Sequence, residues 1–305
     1  ANIKKDQKLL NNSECVAIPT ETVYGLAANA YSDQACKRIF KLKKRPKNNP
    51  LIVHYYNIQM LKKDCKFNKD FSKLYKKFCP GPITFILDLN KKSQISKVAT
   101  NKKNTLAVRF PNHPVTRNLL KKLKFPLAAP SANLSSKVSA VQSTEVKEDF
   151  GGNVKLVLEG GKSSIGIEST IIDIRNQPKI LRLGGLEVSN IQKLLKRKII
   201  INKNTTKISV PGQSKLHYSP GIPLRTNAKK VRSNEAYVLI KKTKIIKSNH
   251  FFLTKNNNLK EAAKNLYSTL RLIKKSKFKS IAVQKIPDKG LGKTINDRLV
   301  RASKF

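Results

Sequence analysis

Between residue 14 and about residue 198, short apolar runs of strand character alternate with stretches of helical periodicity. This alternation restricts the fold more than any other feature of the chain. Residues 15–19, 51–54, 83–89, 105–110, 127–129, 155–158, 169–174 and 180–183 read as strands. Several helix candidates lie between them. Ser32 or Asp33 caps a helix that carries Ala35, Cys36, Ile39, Phe40 and Leu42 on one side. Segments 70–78 and 115–123 look similar, and 187–196 sets Val188, Ile191, Leu194 and Leu195 at helical spacing. The mixed order predicts an α/β domain on a twisted, partly antiparallel sheet.

Residues 201–223 differ in character. A polar stretch, Asn202-Lys203-Asn204-Thr205-Thr206, is followed by Pro211-Gly212, Pro220-Gly221 and Pro223, the composition of an extended linker. Beyond it, strands at 236–240, 251–253 and 281–284 alternate with helices at 259–273 and 294–303. These describe a smaller C-terminal α/β unit of about eighty residues, a viable size for a domain. The expected division is therefore 1–200, 201–223 and 224–305.

Several classes of protein are disfavoured. The longest apolar runs fall far short of the ~20 residues that a membrane-spanning helix requires. Ala1-Asn2-Ile3-Lys4-Lys5-Asp6 has no apolar stretch of the kind that directs export, so a cytoplasmic protein is expected. Cys15, Cys36, Cys65 and Cys79 form no C-x-x-C pair, so reduced, packed thiols are expected and a zinc site is not. The formal charge is +45, from 63 basic and 18 acidic residues. Such a surface attracts polyanions. Lys, Asn and Ile are all abundant, however, as in proteins from AT-rich genomes, and net charge bears on association rather than on fold.

Five segments carry groups suited to chemistry. The scarce acids Glu21, Glu168 and Asp173 sit beside strands, among small and hydroxylated residues. In Lys43-Lys44-Arg45-Pro46, the proline ends the preceding helix and sets Arg45 just beyond it, where a guanidinium suits bidentate phosphate contact. Arg109 lies inside an apolar strand, and a buried arginine needs an anionic partner. Ala129-Pro130-Ser131-Ala132-Asn133 strings small donors after a strand, as an anion cradle would. Walker and dinucleotide-fold glycine signatures are absent. These residues predict a cleft for a small anion or a nucleotide phosphate and leave the reaction unnamed.

The motifs Pro19-Thr20-Glu21-Thr22-Val23-Tyr24-Gly25-Leu26, Lys43-Lys44-Arg45-Pro46, Pro80-Gly81-Pro82-Ile83-Thr84, Val108-Arg109-Phe110-Pro111, Ala129-Pro130-Ser131-Ala132-Asn133 and Gly166-Ile167-Glu168-Ser169-Thr170 occur in one order. That series resembles the YrdC-like threonylcarbamoyl-AMP synthases. His217-Tyr218-Ser219-Pro220 and Asn296-Asp297-Arg298-Leu299 extend the likeness to their long, two-domain form. The resemblance implies a YrdC-like domain with a mixed sheet around a basic cleft, plus a smaller Rossmann-like domain. It also implies synthesis of L-threonylcarbamoyl-adenylate and pyrophosphate from L-threonine, bicarbonate and ATP, which serves N6-threonylcarbamoylation of tRNA at adenosine 37. Transient contact with tRNA or a downstream threonylcarbamoyl-transferase follows, as does Mg²⁺ accompanying ATP with no tightly bound cofactor.

Carried over by motif, Thr22, His54, Arg109, Ala129 and Ser169 face threonine or its N-carboxylate. Lys43, Arg45, Asn49, Thr105, Ser131, Asn133, Ser139, Arg182, His217 and Tyr218 hold ATP, and Lys43, Arg45 and Arg109 carry the charge stabilisation. Ser136 and Ala140 depart from the Gly and Pro frequent in the family, and Leu183 from a frequent Pro. The competing expectation is a non-catalytic RNA-binding protein that uses the basic surface.

Overall fold

The computed structural model describes residues 3–202 and 217–304. The larger unit opens with α1 (Ile3–Asn11), β1 (Val16–Ile18), β2 (Gly25–Asn29), α2 (Asp33–Lys43), β3 (Ile52–His54), α3 (Ile58–Asp64) and β4 (Cys65–Lys66). It continues through α4 (Lys69–Phe78), β5 (Ile83–Leu89), α5 (Lys97–Thr100), β6 (Thr105–Arg109), α6 (Pro114–Lys122) and β7 (Leu127–Ala128). It closes with α7 (Ser143–Phe150), β8 (Leu156–Val157), β9 (Thr170–Asp173), β10 (Lys179–Arg182), α8 (Val188–Leu195) and β11 (Ile200–Ile201). The smaller unit comprises β12 (Leu224–Arg225), β13 (Glu235–Lys241), β14 (His250–Thr254), α9 (Leu259–Lys275), β15 (Ser280–Val283) and α10 (Leu291–Ala302). Of the segment read as a linker, residues 203–216 lie outside the described residues.

The large sheet runs β11-β10-β9-β5-β6-β3-β7-β2-β1-β8, with β4 added on β5. It is mixed, as expected: β5 is antiparallel to β6 and parallel to β9, and β6 is parallel to β3. The smaller sheet, β12-β15-β13-β14, is parallel throughout, which agrees with a Rossmann-like unit. Local chemistry starts the helices where it should. Ser32 accepts from the Ala35 amide to cap α2, and Asn68 accepts from the Phe71 amide to cap α4. Ala35, Cys36, Ile39 and Phe40 then form the buried stripe of α2.

The two units share apolar packing. Val23, Val138, Val141 and Ile167 of the larger unit belong to the same buried cluster as Leu266, Leu270 and Ile295 of the smaller one. Cys15, Cys36 and Cys65 are buried, Cys79 is half-buried, and all four are free thiols. Among the described residues, no helix is long and apolar enough to cross a membrane.

Candidate active site

Register decides which side chains meet. His54 on β3 and Thr84 on β5 both pair with Arg109 on β6, so the three stand in a row on one face of the sheet. Ser169 immediately precedes β9, and its hydroxyl lies 2.7 Å from that of Thr84. A register shift between Ile180 and Arg182 bends β10 and turns Arg182 to the same place. There Arg182 donates to the Ser169 carbonyl through Nε (3.1 Å) and through a terminal nitrogen (2.8 Å).

The loops add the remaining parts. Lys44 ends α2 in the left-handed conformation (φ 49°), and the Arg45 amide returns to the Phe40 carbonyl at 3.0 Å. Arg45 donates through Nε to the Asn49 carbonyl (3.1 Å) and through a terminal nitrogen to the Pro50 carbonyl (3.0 Å). Lys43, only 1% exposed, donates to the carbonyls of Ser131 and Asn133. The 129–133 loop is stitched to the β1–β2 turn. Leu26 donates to the Pro130 carbonyl and Ala132 to that of Tyr24, each at 2.7–2.8 Å.

One narrow cleft is lined by Arg45, His54, Arg109, Ala129, Ser131, Ser169, Arg182, His217 and Tyr218, together with Thr20, Tyr24, Ile52 and Glu168. Nine residues singled out from the sequence therefore share one wall-to-wall space. The others stand behind it or apart from it. Thr22 is buried, with its hydroxyl 2.9 Å from that of Thr20. Asn133 donates to the carbonyls of Leu134 and Lys137, and Ser139 donates to Glu168 at 2.7 Å. Thr105 lines a second cleft with Pro50, Ala107, Asp173 and Arg175. It lies on the same sheet face as Arg109, four residues or about 13 Å along β6. Ile52, Ile86, Ala107 and Ile171 form an apolar floor on the sheet between the two.

The cleft is not free of carboxylates, and sequence reasoning had not assigned the two involved. Glu21 accepts from Arg109 at 2.7 Å and from the Asn112 amide at 2.9 Å, so it is the anionic partner the buried Arg109 requires. Glu168 lines the cleft and accepts from Ser139, Tyr267 and Arg298. The advance signs of both were an acid, in a chain poor in acids, placed at a strand end and inside one of the family-like motifs. Arg298 was visible only as part of the motif Asn296-Asp297-Arg298-Leu299, with no role attached, and Tyr267 left no local signal.

The electrostatics follow from burial and crowding. Burial, then Arg45, holds the Lys43 ammonium well below its usual value. Burial, with Arg182 second, brings Arg45 down to about 9, still protonated at neutral pH. Burial, then Arg109, depresses His54 to about 3, so its ring is neutral. Burial pushes the Glu168 carboxyl up, but Arg298, Arg182 and the Ser139 hydroxyl outweigh it and hold it down to about 2. Buried polar atoms with no hydrogen-bond partner among the described residues include Asn49 Oδ1, His54 Nδ1, Arg109 Nε, Asn133 Oδ1, His217 Nδ1 and Tyr218 OH. Such groups are costly unless a bound molecule or water satisfies them, and these six all belong to residues singled out from the sequence.

A mixed sheet that gathers Arg45, Arg109 and Arg182 around one cleft, with Lys43 adjoining, defines an α/β protein with a cation-lined cleft. Residues 8–184 match the Sua5/YciO/YrdC family model, described as telomere recombination, and residues 186–304 match that of the threonylcarbamoyl-AMP synthase C-terminal domain. The chain belongs to the Sua5/YciO/YrdC family, in its form with this second domain. The threonylcarbamoyl-AMP synthase of Pyrococcus abyssi is 34% identical over 97% of this chain and 92% of its own length. That of Bacillus subtilis is 33% identical, over 97% and 91%. The crystal structure of P. abyssi Sua5 complexed with L-threonine matches with a TM-score of 0.90 at 33% identity, covering 99% of this chain and 94% of that one.

Proposed function

We infer that the chain is a threonylcarbamoyl-AMP synthase, an adenylyl-transferring enzyme that forms L-threonylcarbamoyl-adenylate and pyrophosphate from L-threonine, bicarbonate and ATP. The product serves threonylcarbamoylation of tRNA, in the cytoplasm. The observation that carries this reading is the single cleft in which Arg45, His54, Arg109, Ser131, Ser169 and Arg182 meet. On the division expected from the sequence, residues 1–200 do the chemistry, 201–223 link, and 224–305 form the smaller unit.

Carboxylated threonine is a dianion and must approach an anionic α-phosphate. Two unit charges 4 Å apart repel by about 4 kcal/mol at an effective dielectric of ~20. Arg109 and the neutral His54, with Ser169 and Ala129, form the threonine end. Arg109 lines the cleft with a terminal nitrogen on Glu21 and its Nε without a partner among the described residues. Arg45, Lys43 and Arg182, with Ser131 and Asn49, form the phosphate end, where they offset the repulsion and stabilise charge on the departing pyrophosphate. An adenosine that reaches along the sheet face over the apolar floor would arrive at Thr105. Catalysis is then chiefly positioning of a carboxylate oxygen in line with phosphorus.

Both carboxylates at the cleft are occupied by donors, so they do not form a cage for a divalent ion. Among the described residues, no group of three His, Cys, Asp or Glu side chains could hold one. Mg²⁺ accompanying ATP would be held by phosphate oxygens, and no step is assigned to it.

The test is pyrophosphate release by the purified chain. It should require threonine and bicarbonate together, and turnover of ATP indifferent to threonine would sink the reading. Arg45→Ala should cost about 2–4 kcal/mol of transition-state stabilisation, as removal of one charge-stabilising donor does. A pure RNA binder would instead keep its function in Thr22→Ala and Ser169→Ala and show steep salt dependence.

A further inference from the structure

Glu168 precedes Ser169 in the chain, and its carboxylate is held chiefly from the smaller unit. Oε1 accepts from Ser139 Oγ at 2.7 Å. Oε2 accepts from Tyr267 OH of α9 at 2.8 Å and from Arg298 Nε of α10 at 3.0 Å. Arg298 is 1% exposed. One of its terminal nitrogens donates to the Leu183 carbonyl at 2.6 Å, and its guanidinium lies 4.9 Å over the Tyr218 ring, which stacks on Tyr267. Thr294, also on α10, donates to the Gly184 carbonyl at 3.2 Å.

The smaller unit thus grips two segments of the larger one. The first carries Ser169 and the second follows Arg182. These segments are tied to each other as well. Arg182 donates to the Ser169 carbonyl, and the Gly185 amide to that of Glu168 at 2.8 Å. A Cβ on Gly184 would stand 2.2 Å from the Ser169 carbonyl carbon, so neither segment can shift without the other. Apolar packing alone would dock the two units without an ion pair, because burying Arg and Glu together carries a desolvation cost that an apolar pair avoids. A retained buried pair of this kind is best accounted for as a registration device.

We propose that Arg298 and Tyr267 are positioning residues for the cleft. Through Glu168 they fix the placement of Ser169 and Arg182, which makes the smaller unit part of the active site's architecture although neither residue lines the cleft. The kinetic consequence rests on the synthase reading.

The experiment uses the full chain with Tyr267→Phe, which keeps the ring stacked on Tyr218 and removes only the hydroxyl, and with Arg298→Lys, which keeps the charge and loses the planar fork. Tyr267→Phe should lower kcat/KM for threonine about tenfold, the worth of one hydrogen bond to a charged group, and lower Tm by about 3–12 °C for the same reason. Combined with Ser169→Ala, its effect should be smaller than the product of the two single effects, because both act at one place. Unchanged kcat/KM, or fully multiplicative effects with Ser169→Ala, would overturn the proposal and leave a merely structural bond.

Hydrogen exchange supplies an arm that does not depend on activity. The amides of residues 167–171 and 182–185 should exchange faster in both variants while the rest of the large sheet stays protected. Exchange there equal to wild type would overturn the proposal. If the wild type releases no pyrophosphate with threonine, the synthase reading falls, and the exchange result alone decides on the latch.

Discussion

Glu21→Gln isolates the orientation of Arg109. The carboxylate uses one oxygen for each of two donors, Arg109 at 2.7 Å and the Asn112 amide at 2.9 Å. An amide has one oxygen and turns an NH₂ toward the other donor, so one of these buried bonds must break. The Arg109–Glu21 pair is almost fully enclosed, with side-chain exposures of 5% and 7%. A hydrogen bond to a charged group is worth about 1.5–3 kcal/mol. Breaking a buried pair outright costs about 3–5 kcal/mol. Gln keeps the shape and one bond, so the expected loss is about 2–3 kcal/mol. At about 2–4 °C per kcal/mol, Tm should fall by about 4–12 °C in thermal denaturation followed by circular dichroism. The same change loosens the hold of Glu21 on a guanidinium that lines the cleft. The KM for threonine should therefore rise about tenfold or more, with a smaller change for ATP, since a bond to a charged group is at stake. A variant with wild-type Tm and wild-type threonine dependence would refute the argument that Glu21 orients Arg109.

Gly184→Ala places a Cβ 2.2 Å from the Ser169 carbonyl carbon and 2.3 Å from the Thr170 nitrogen, and both are backbone atoms with nowhere to go. It should destabilise the fold by about 1–3 kcal/mol or more and weaken threonine binding, measured by denaturation and by calorimetry; retained affinity would contradict the tight coupling of these segments. Burial, then Arg109, holds His54 at about 3 in the folded chain, whereas an unfolded ring protonates near 6.5. The unfolded state therefore takes up the extra proton, and stability should fall as pH drops from about 6.5 toward 3. Urea denaturation of wild type and His54→Gln between about pH 7 and 5 should show the wild type losing ground to the variant, and parallel profiles would count against a buried neutral ring.

Much of this architecture was legible because strands rich in branched and aromatic residues announce themselves. β5, with Ile83, Phe85, Ile86 and Leu87, and β6, with Leu106 and Val108, fall where the pattern put them. β2 did not show itself. Gly25-Leu26-Ala27-Ala28-Asn29 has mostly small residues, no alternation and no β-branched or aromatic side chain, and it is nearly all buried between β1 and β7. α7 was missed for the opposite reason, since Ser143–Phe150 is mostly polar and only Val146 and Phe150 are apolar. In the site, Arg109 was legible as a buried cation in need of an anion, but which acid answered it was not. Ser136 holds a φ of 66°, the left-handed backbone that favours glycine. Glu168 and Arg298 each stood in a motif, but their pairing, with Tyr267, could not be read from the chain. The partners of Glu168 lie 99 and 130 residues away, and a long-range ion pair leaves no periodicity along the chain.

The composition itself separates surface from site. Among the described residues, Lys43 is the only buried lysine, whereas Arg45, Arg109, Arg182 and Arg298 are all buried. A lysine on a solvated surface can be gained or lost at little cost, so a drift of composition accumulates there as charge. A buried guanidinium needs fixed acceptors for its donors, and lysine cannot replace its planar fork. Each of these four arginines spans two or more fixed acceptors: Asn49 and Pro50 for Arg45, Glu21 and Thr20 for Arg109, both oxygens of Ser169 for Arg182, and Glu168 and Leu183 for Arg298. The +45 charge and the cation-lined cleft are therefore separate properties with separate causes. Neutralising exposed lysines should alter salt-dependent association and leave the geometry of the cleft untouched, whereas any one of the four arginines changed to lysine breaks a pairing that the fold has no second way to make.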